Sequence, residues 1–111
     1  MKKDPKIFLE HIIESIQLIE KYAHHLTAEK FQTDIAMQDA IMRRLEIVGE
    51  AVKNIPAPFK IHHPDIPWKQ MAGMRDILIH EYFDVDVSLT WAVVKNELPT
   101  VKKKILLILN S

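Results

Sequence analysis

The chain has 111 residues, enough for one domain that buries roughly two thirds of its surface on folding. It is 48% hydrophobic and 27% charged, with neither the composition of a disordered tail nor that of a membrane protein. Fifteen Lys and Arg balance fifteen Asp and Glu, so no net positive field exists to gather nucleic acid and any RNA contact must be local.

The N-terminal segment opens with Asp4 before Pro5, an N-cap followed by a proline suited to the first helical position. Ile7, Phe8, Ile12, Ile16, Ile19 and Tyr22 then recur at helical spacing, opposite Glu10, Glu14, Gln17 and Lys21, and predict an amphipathic helix of about 20 residues. The acidic residues in this pattern do not suit a secretory signal, and the longest apolar run, Ile105 to Leu109, is far shorter than a membrane span. A soluble, cytoplasmic protein is expected. The absence of cysteine excludes disulfides and thiolate metal sites.

Thr27 is placed to cap a short helix, and Thr33 or Asp34 a longer one running towards Asn54 with Ile35, Met37, Ile41, Leu45, Val48 and Val52 as its stripe. Asn54 to Trp68 holds four prolines and reads as the principal loop. Pro67 then starts a helix carrying Trp68, Met71, Met74 and Leu78 in register, and with them the segment MRDILIHEYFD. Asp86 is the expected cap of a last helix reaching the C-terminus, bent or interrupted at Pro99. With no repeat and no alternating strand pattern, the architecture is an all-α antiparallel bundle of four to five helices in one domain, residues 1–111. Both glycines, Gly49 and Gly73, fall in expected helix interiors, where each costs about 1 kcal/mol against alanine. Either helices cross closely there, or, at Gly73, a second chain approaches.

Arg75, His80 and Tyr82 stand out in the apolar segment. On a continuous helix Arg75 and Tyr82 lie within about 20° of one another, while His80 lies about 140° round from Arg75, on the face of Gly73, Asp76 and Ile77. Arginine and histidine meet only if the arginine reaches round, if the helix loosens near His80, or if the partner comes from a symmetry-related chain. Without a metal, such a pair suits RNA cleavage by its own 2′-hydroxyl: imidazole moves the proton and guanidinium holds the phosphate oxygens. Spacing alone favours a plainer reading, with Arg75 in an ion pair, His80 at a helix end and Tyr82 at the core edge.

Longer context is more specific. MAGMRDILIHEYFDVD (Met71 to Asp86), RRLEIVGEA (Arg43 to Ala51) and LTWAVVKNELP (Leu89 to Pro99) resemble, in order, the Rx4HxY motif and two flanking helices of the HepT-like branch of the HEPN superfamily. These are toxin halves of bacterial and archaeal toxin–antitoxin pairs. The resemblance implies a helical bundle forming a symmetric homodimer, with Gly73 and Ile77 at the dimer contact, that acts as a metal-independent endoribonuclease. Arg75 and His80 would be catalytic at the dimer cleft, with Asp76 in support at a position often occupied by asparagine. Tyr82 would be the hydroxyl that a minimal nucleotidyltransferase antitoxin adenylylates. Some relatives serve instead as non-catalytic substrate-binding or scaffold subunits of a two-component nucleotidyltransferase, a role that zero net charge also fits.

Other residues have plainer readings. His24–His25 and His62–His63 lack the spacing of a metal site, although the second pair could border an RNA cleft. Glu46 and Glu50 are four apart on one helix and suit ion pairs with Arg43 or Arg44 better than acid–base work, which would need a pocket. Lys102 to Lys104 reads as a solvated face. No glycine-rich phosphate loop and no Ser or Cys nucleophile motif is present, and neither a metal nor a cofactor is expected.

Overall fold

A computed structural model describes residues 4–80 and 84–111. It is a helical bundle, with a single pair of two-residue strands, built on three long rods: α1 (Pro5–Ala23), α3 (Ile35–Lys53), and a C-terminal rod made of α7 (Val87–Ala92), a π-helical turn (Val93–Glu97) and α8 (Leu98–Leu109). Short helices α2 (Ala28–Thr33), α4 (Ala57–His62), α5 (Trp68–Ala72) and α6 (Met74–Leu78) fill the connections.

The starts of the helices are set by local chemistry. Asp4 accepts from the Lys6 N–H at 3.0 Å, Thr27 from Lys30 at 3.2 Å, Asp34 from Met37 at 3.0 Å and Asp86 from Leu89 at 2.9 Å, each satisfying a donor that the first turn leaves unpaired. Asp34, not Thr33, caps α3. The proline segment holds more structure than expected: Pro56 is the N-cap of α4 and Pro58 lies in its first turn, where a missing N–H removes no intrahelical bond.

The core is continuous. Leu9, Ile12, Ile16 and Ile19 of α1 meet Ile41, Leu45, Val48 and Val52 of α3, and Leu98, Val101 and Ile105 of the C-terminal rod close over them. Ile7 and Ile35, which the periodicity assigned to the stripes, are 41% and 69% exposed, because each sits in the first turn of its helix beyond the reach of a neighbour. Lys102 and Lys104 are tethers more than a solvated face: Lys102 Nζ pairs with Glu20 at 2.8 Å, and Lys104 Nζ donates to the Asp65 carbonyl at 2.7 Å. The expected interruption at Pro99 takes the form of the wide turn before it, in which the Leu98 N–H donates back to Val93 O. Pro99 has no N–H and its ring crowds the preceding turn, which a π turn widens.

The glycines part company. Gly49 is inside α3, and a Cβ there would lie 3.2 Å from the carbonyl oxygens of both Met71 and Ala72. Those are backbone atoms at the end of α5 and cannot swing aside, so α3 and α5 are as close as they are because position 49 has no side chain. Gly73 is not in a helix interior: it caps α5 at φ −93°, and a Cβ there would lie 3.5 Å from Lys69 O. Gly49→Leu is therefore expected to destabilise the fold by about 2 kcal/mol in urea denaturation despite leucine's better helix propensity.

Candidate functional site

The motif segment starts on a helix and does not stay on one. Gly73 ends α5, its N–H bonding back to Lys69 O and Met71 O, and α6 restarts at Met74. Met74 and Leu78, one turn apart, are buried in the core, while Asp76 is exposed. Past Leu78 the backbone becomes a strand, β1 (Ile79–His80), paired antiparallel with β2 (Asp84–Val85) in the register Ile79 with Val85 and His80 with Asp84. The Asp86 N–H closes this ladder on Leu78 O at 2.7 Å, and the Thr90 hydroxyl, fully buried, donates to Asp86 O at 2.7 Å.

Arg75 therefore lies on α6 and His80 on β1, opposite Asp84. The expectation that a single helix carries both is corrected here. The 140° separation of a straight helix does not apply, because the chain leaves helical geometry two residues before His80. Tyr82 lies outside the described residues.

Two grooves flank α5 and α6. One, of about 350 Å3, is apolar and runs between Met71, Met74 and Leu78 on one side and Leu89, Val93 and Val101 on the other. The other, of about 540 Å3, lies between α3 and the α5–α6 bend and is charged, with Arg43, Glu46, Glu50 and Lys53 on α3 facing Asp76 on α6. Gly49 and Ala72 are also in its lining, where the two backbones approach. Glu46 makes the expected pair with Arg43, at 3.9 Å, whereas Glu50 pairs with Lys53, at 3.5 Å, and not with either arginine. Pairs of this kind are worth at most about 1 kcal/mol. Sequence reasoning asked for a pocket at Glu46 and Glu50 and could not supply one, since its opposite wall comes from residues more than twenty positions away.

The histidine pairs gather no ligand set. His24 and His25 stack edge to face at 4.8 Å, and the His63 ring lies 4.7 Å from Phe59. Among the described residues no three His, Cys, Asp or Glu converge as a metal would require. No described helix is long and apolar enough to cross a membrane.

These features define a small helical domain whose polar motif is set where a short helix gives way to a two-residue strand. The chain belongs to the Ribonuclease HepT-like family, whose pattern matches residues 12–108. It is similar, at 51% identity over 94% of its length and 94% of the relative's, to a Thermococcus cleftensis protein named Probable ribonuclease HepT. A Caldanaerobacter subterraneus protein named as an inferred RNase is 41% identical over 93% of this chain and 92% of its own. A Methanocaldococcus jannaschii protein, whose name joins a gamma-glutamylcyclotransferase to an inferred RNase, is 53% identical over 98% of this chain, which spans about half (49%) of that longer protein. No solved structure matches the chain.

Proposed function

We propose that the chain is a metal-independent endoribonuclease, the toxin of a type II toxin–antitoxin pair. The observation that carries this reading is membership of the Ribonuclease HepT-like family across the motif and both flanking helices. The chemistry follows from the motif. His80 takes the proton of an RNA 2′-hydroxyl as that oxygen bonds to phosphorus, the bond to the 5′-oxygen breaks, and a 2′,3′-cyclic phosphate and a 5′-hydroxyl result. Arg75 holds the non-bridging oxygens as their charge grows. Asp76, next to it on α6, supports the arginine's placement.

A homodimer brings two copies of the motif to one cleft, so one His80 serves as base and the other as acid. The position of Gly73 at the α5–α6 bend supports a contact there with Ile77, because a backbone bare of side chain lets a second copy come close. The partner is a nucleotidyltransferase antitoxin: the Tyr82 oxygen attacks the α-phosphorus of ATP, pyrophosphate leaves, and the phosphoadenylyl group blocks the cleft by bulk and charge.

Three measurements test this reading. In excess EDTA, wild type cleaves RNA to cyclic phosphate ends and His80→Ala is slower by about 10²–10⁴-fold; absence of cleavage by unmodified wild type favours the non-catalytic subunit instead. Coexpression with the cognate nucleotidyltransferase adds the mass of one AMP, and Tyr82→Phe does not gain it. Gly73→Leu, whose Cβ meets no described atom closer than Lys69 O at 3.5 Å, sediments as a monomer; a dimer that persists refutes the proposed contact.

A further inference from the structure

Asp86 is the joint between the motif strand and the C-terminal rod. Its Oδ1 caps α7 on the Leu89 N–H at 2.9 Å, and its own N–H reaches Leu78 O at 2.7 Å. Its carbonyl accepts from both the N–H and the buried hydroxyl of Thr90, at 2.9 and 2.7 Å. A half-buried carboxylate is thus fixed by its cap bond and by both backbone groups of its own residue.

The strand register places this joint beside His80. In an antiparallel ladder opposed residues share a face and alternate residues return to it. His80 is opposed to Asp84, and Asp86 follows two residues on with extended backbone, φ −73° and ψ 91°, so all three occupy one face. Asp86 stands on the diagonal from His80, a Cα separation of about 7–8 Å that a ring and a carboxylate can span.

An imidazole that serves as base works best with one ring nitrogen bare and the other protonated and held. A carboxylate accepts on two oxygens, so capping a helix is compatible with accepting a ring N–H. Asp84 shares the face, but a group that orients another must itself be fixed, and the cap bond gives Asp86 that property.

We propose that Asp86 is a positioning residue for His80: its carboxylate accepts one ring N–H and leaves the other nitrogen bare for the RNA 2′-hydroxyl. In the copy that serves as acid, the same carboxylate steadies the imidazolium. The assignment rests on the RNA-cleavage reading for its consequence, while the state of the imidazole is measured without RNA.

Asp86→Asn and Asp86→Ser both keep an N-cap for α7, so the full chain is expected to stay folded, which melting temperatures check. In excess EDTA each is expected to lower kcat for RNA cleavage by about 10²-fold, with KM within about twofold of wild type. Asp84→Asn is expected to keep kcat within about threefold. Nitrogen–proton correlation spectra of the neutral His80 ring, assigned by their loss in His80→Ala, are expected to show one tautomer in wild type and a mixture in both Asp86 variants. Undiminished kcat in the Asp86 variants, a larger loss in Asp84→Asn, or an unchanged tautomer ratio overturns the proposal. If wild type cleaves no RNA, the nuclease reading falls and the tautomer ratio decides alone: a shift in the Asp86 variants keeps Asp86 as the group that orients His80, and no shift removes it.

Discussion

The structure depends on how closely the middle of α3 approaches the end of α5. Gly49 puts bare backbone against the carbonyls of Met71 and Ala72, and the short distance fixes where α5 ends. From that point the rest of the motif region is set: Gly73 turns the chain, α6 buries Met74 and Leu78, and the strand that follows is held by Asp86 on Leu78 O. A bulkier residue at position 49 would push α5 outward and carry α6 with it, since only one residue separates them. The helical penalty at Gly49 is offset by contacts that hold the functional segment in place.

How much of this was legible in the sequence follows from the range of the forces concerned. Asp4, Thr27, Asp34 and Asp86 act on N–H groups two or three residues away, and the caps were readable from spacing, save that Thr33 and Asp34 were left as alternatives for α3. The core positions of α3 from Ile41 to Val52 were readable for the same reason, periodicity being a local signal. The strand at His80 was not. Helical spacing in Trp68, Met71, Met74 and Leu78 is real, but its continuation is overridden by a ladder to Asp84 and Val85 that a one-dimensional pattern does not show. Helix α4 was missed because prolines were read as breakers, whereas at an N-cap and in a first turn they are neutral or helpful. The roles proposed for Arg75, His80 and Tyr82 lean on the longer resemblance, because an arginine and a histidine five apart are common in any helical protein.

The electrostatics of a neutral chain are equally local. Lys102 and Lys104, the obvious basic cluster, spend their charges holding α8 to Glu20 and to the Asp65 carbonyl. Near the motif, among the described residues, lies a groove lined by side chains of both signs. A protein built this way draws little affinity from counterion release, so its selection among RNAs falls on contacts at the site.

The wide turn at Val93–Glu97 bears on how this chain tolerates change in length. Such a turn holds one residue more than the α-helix around it, so it marks the place where the C-terminal rod can lose a residue without breaking. Contraction to a regular helix after such a loss leaves what lies beyond it in phase, because the five residues of the wide turn wind about as far round the axis as four of an α-helix. Val101 and Ile105 would stay on the core side and Lys102 would keep Glu20, whereas the same deletion within α8 itself would turn every residue after it by about 100°.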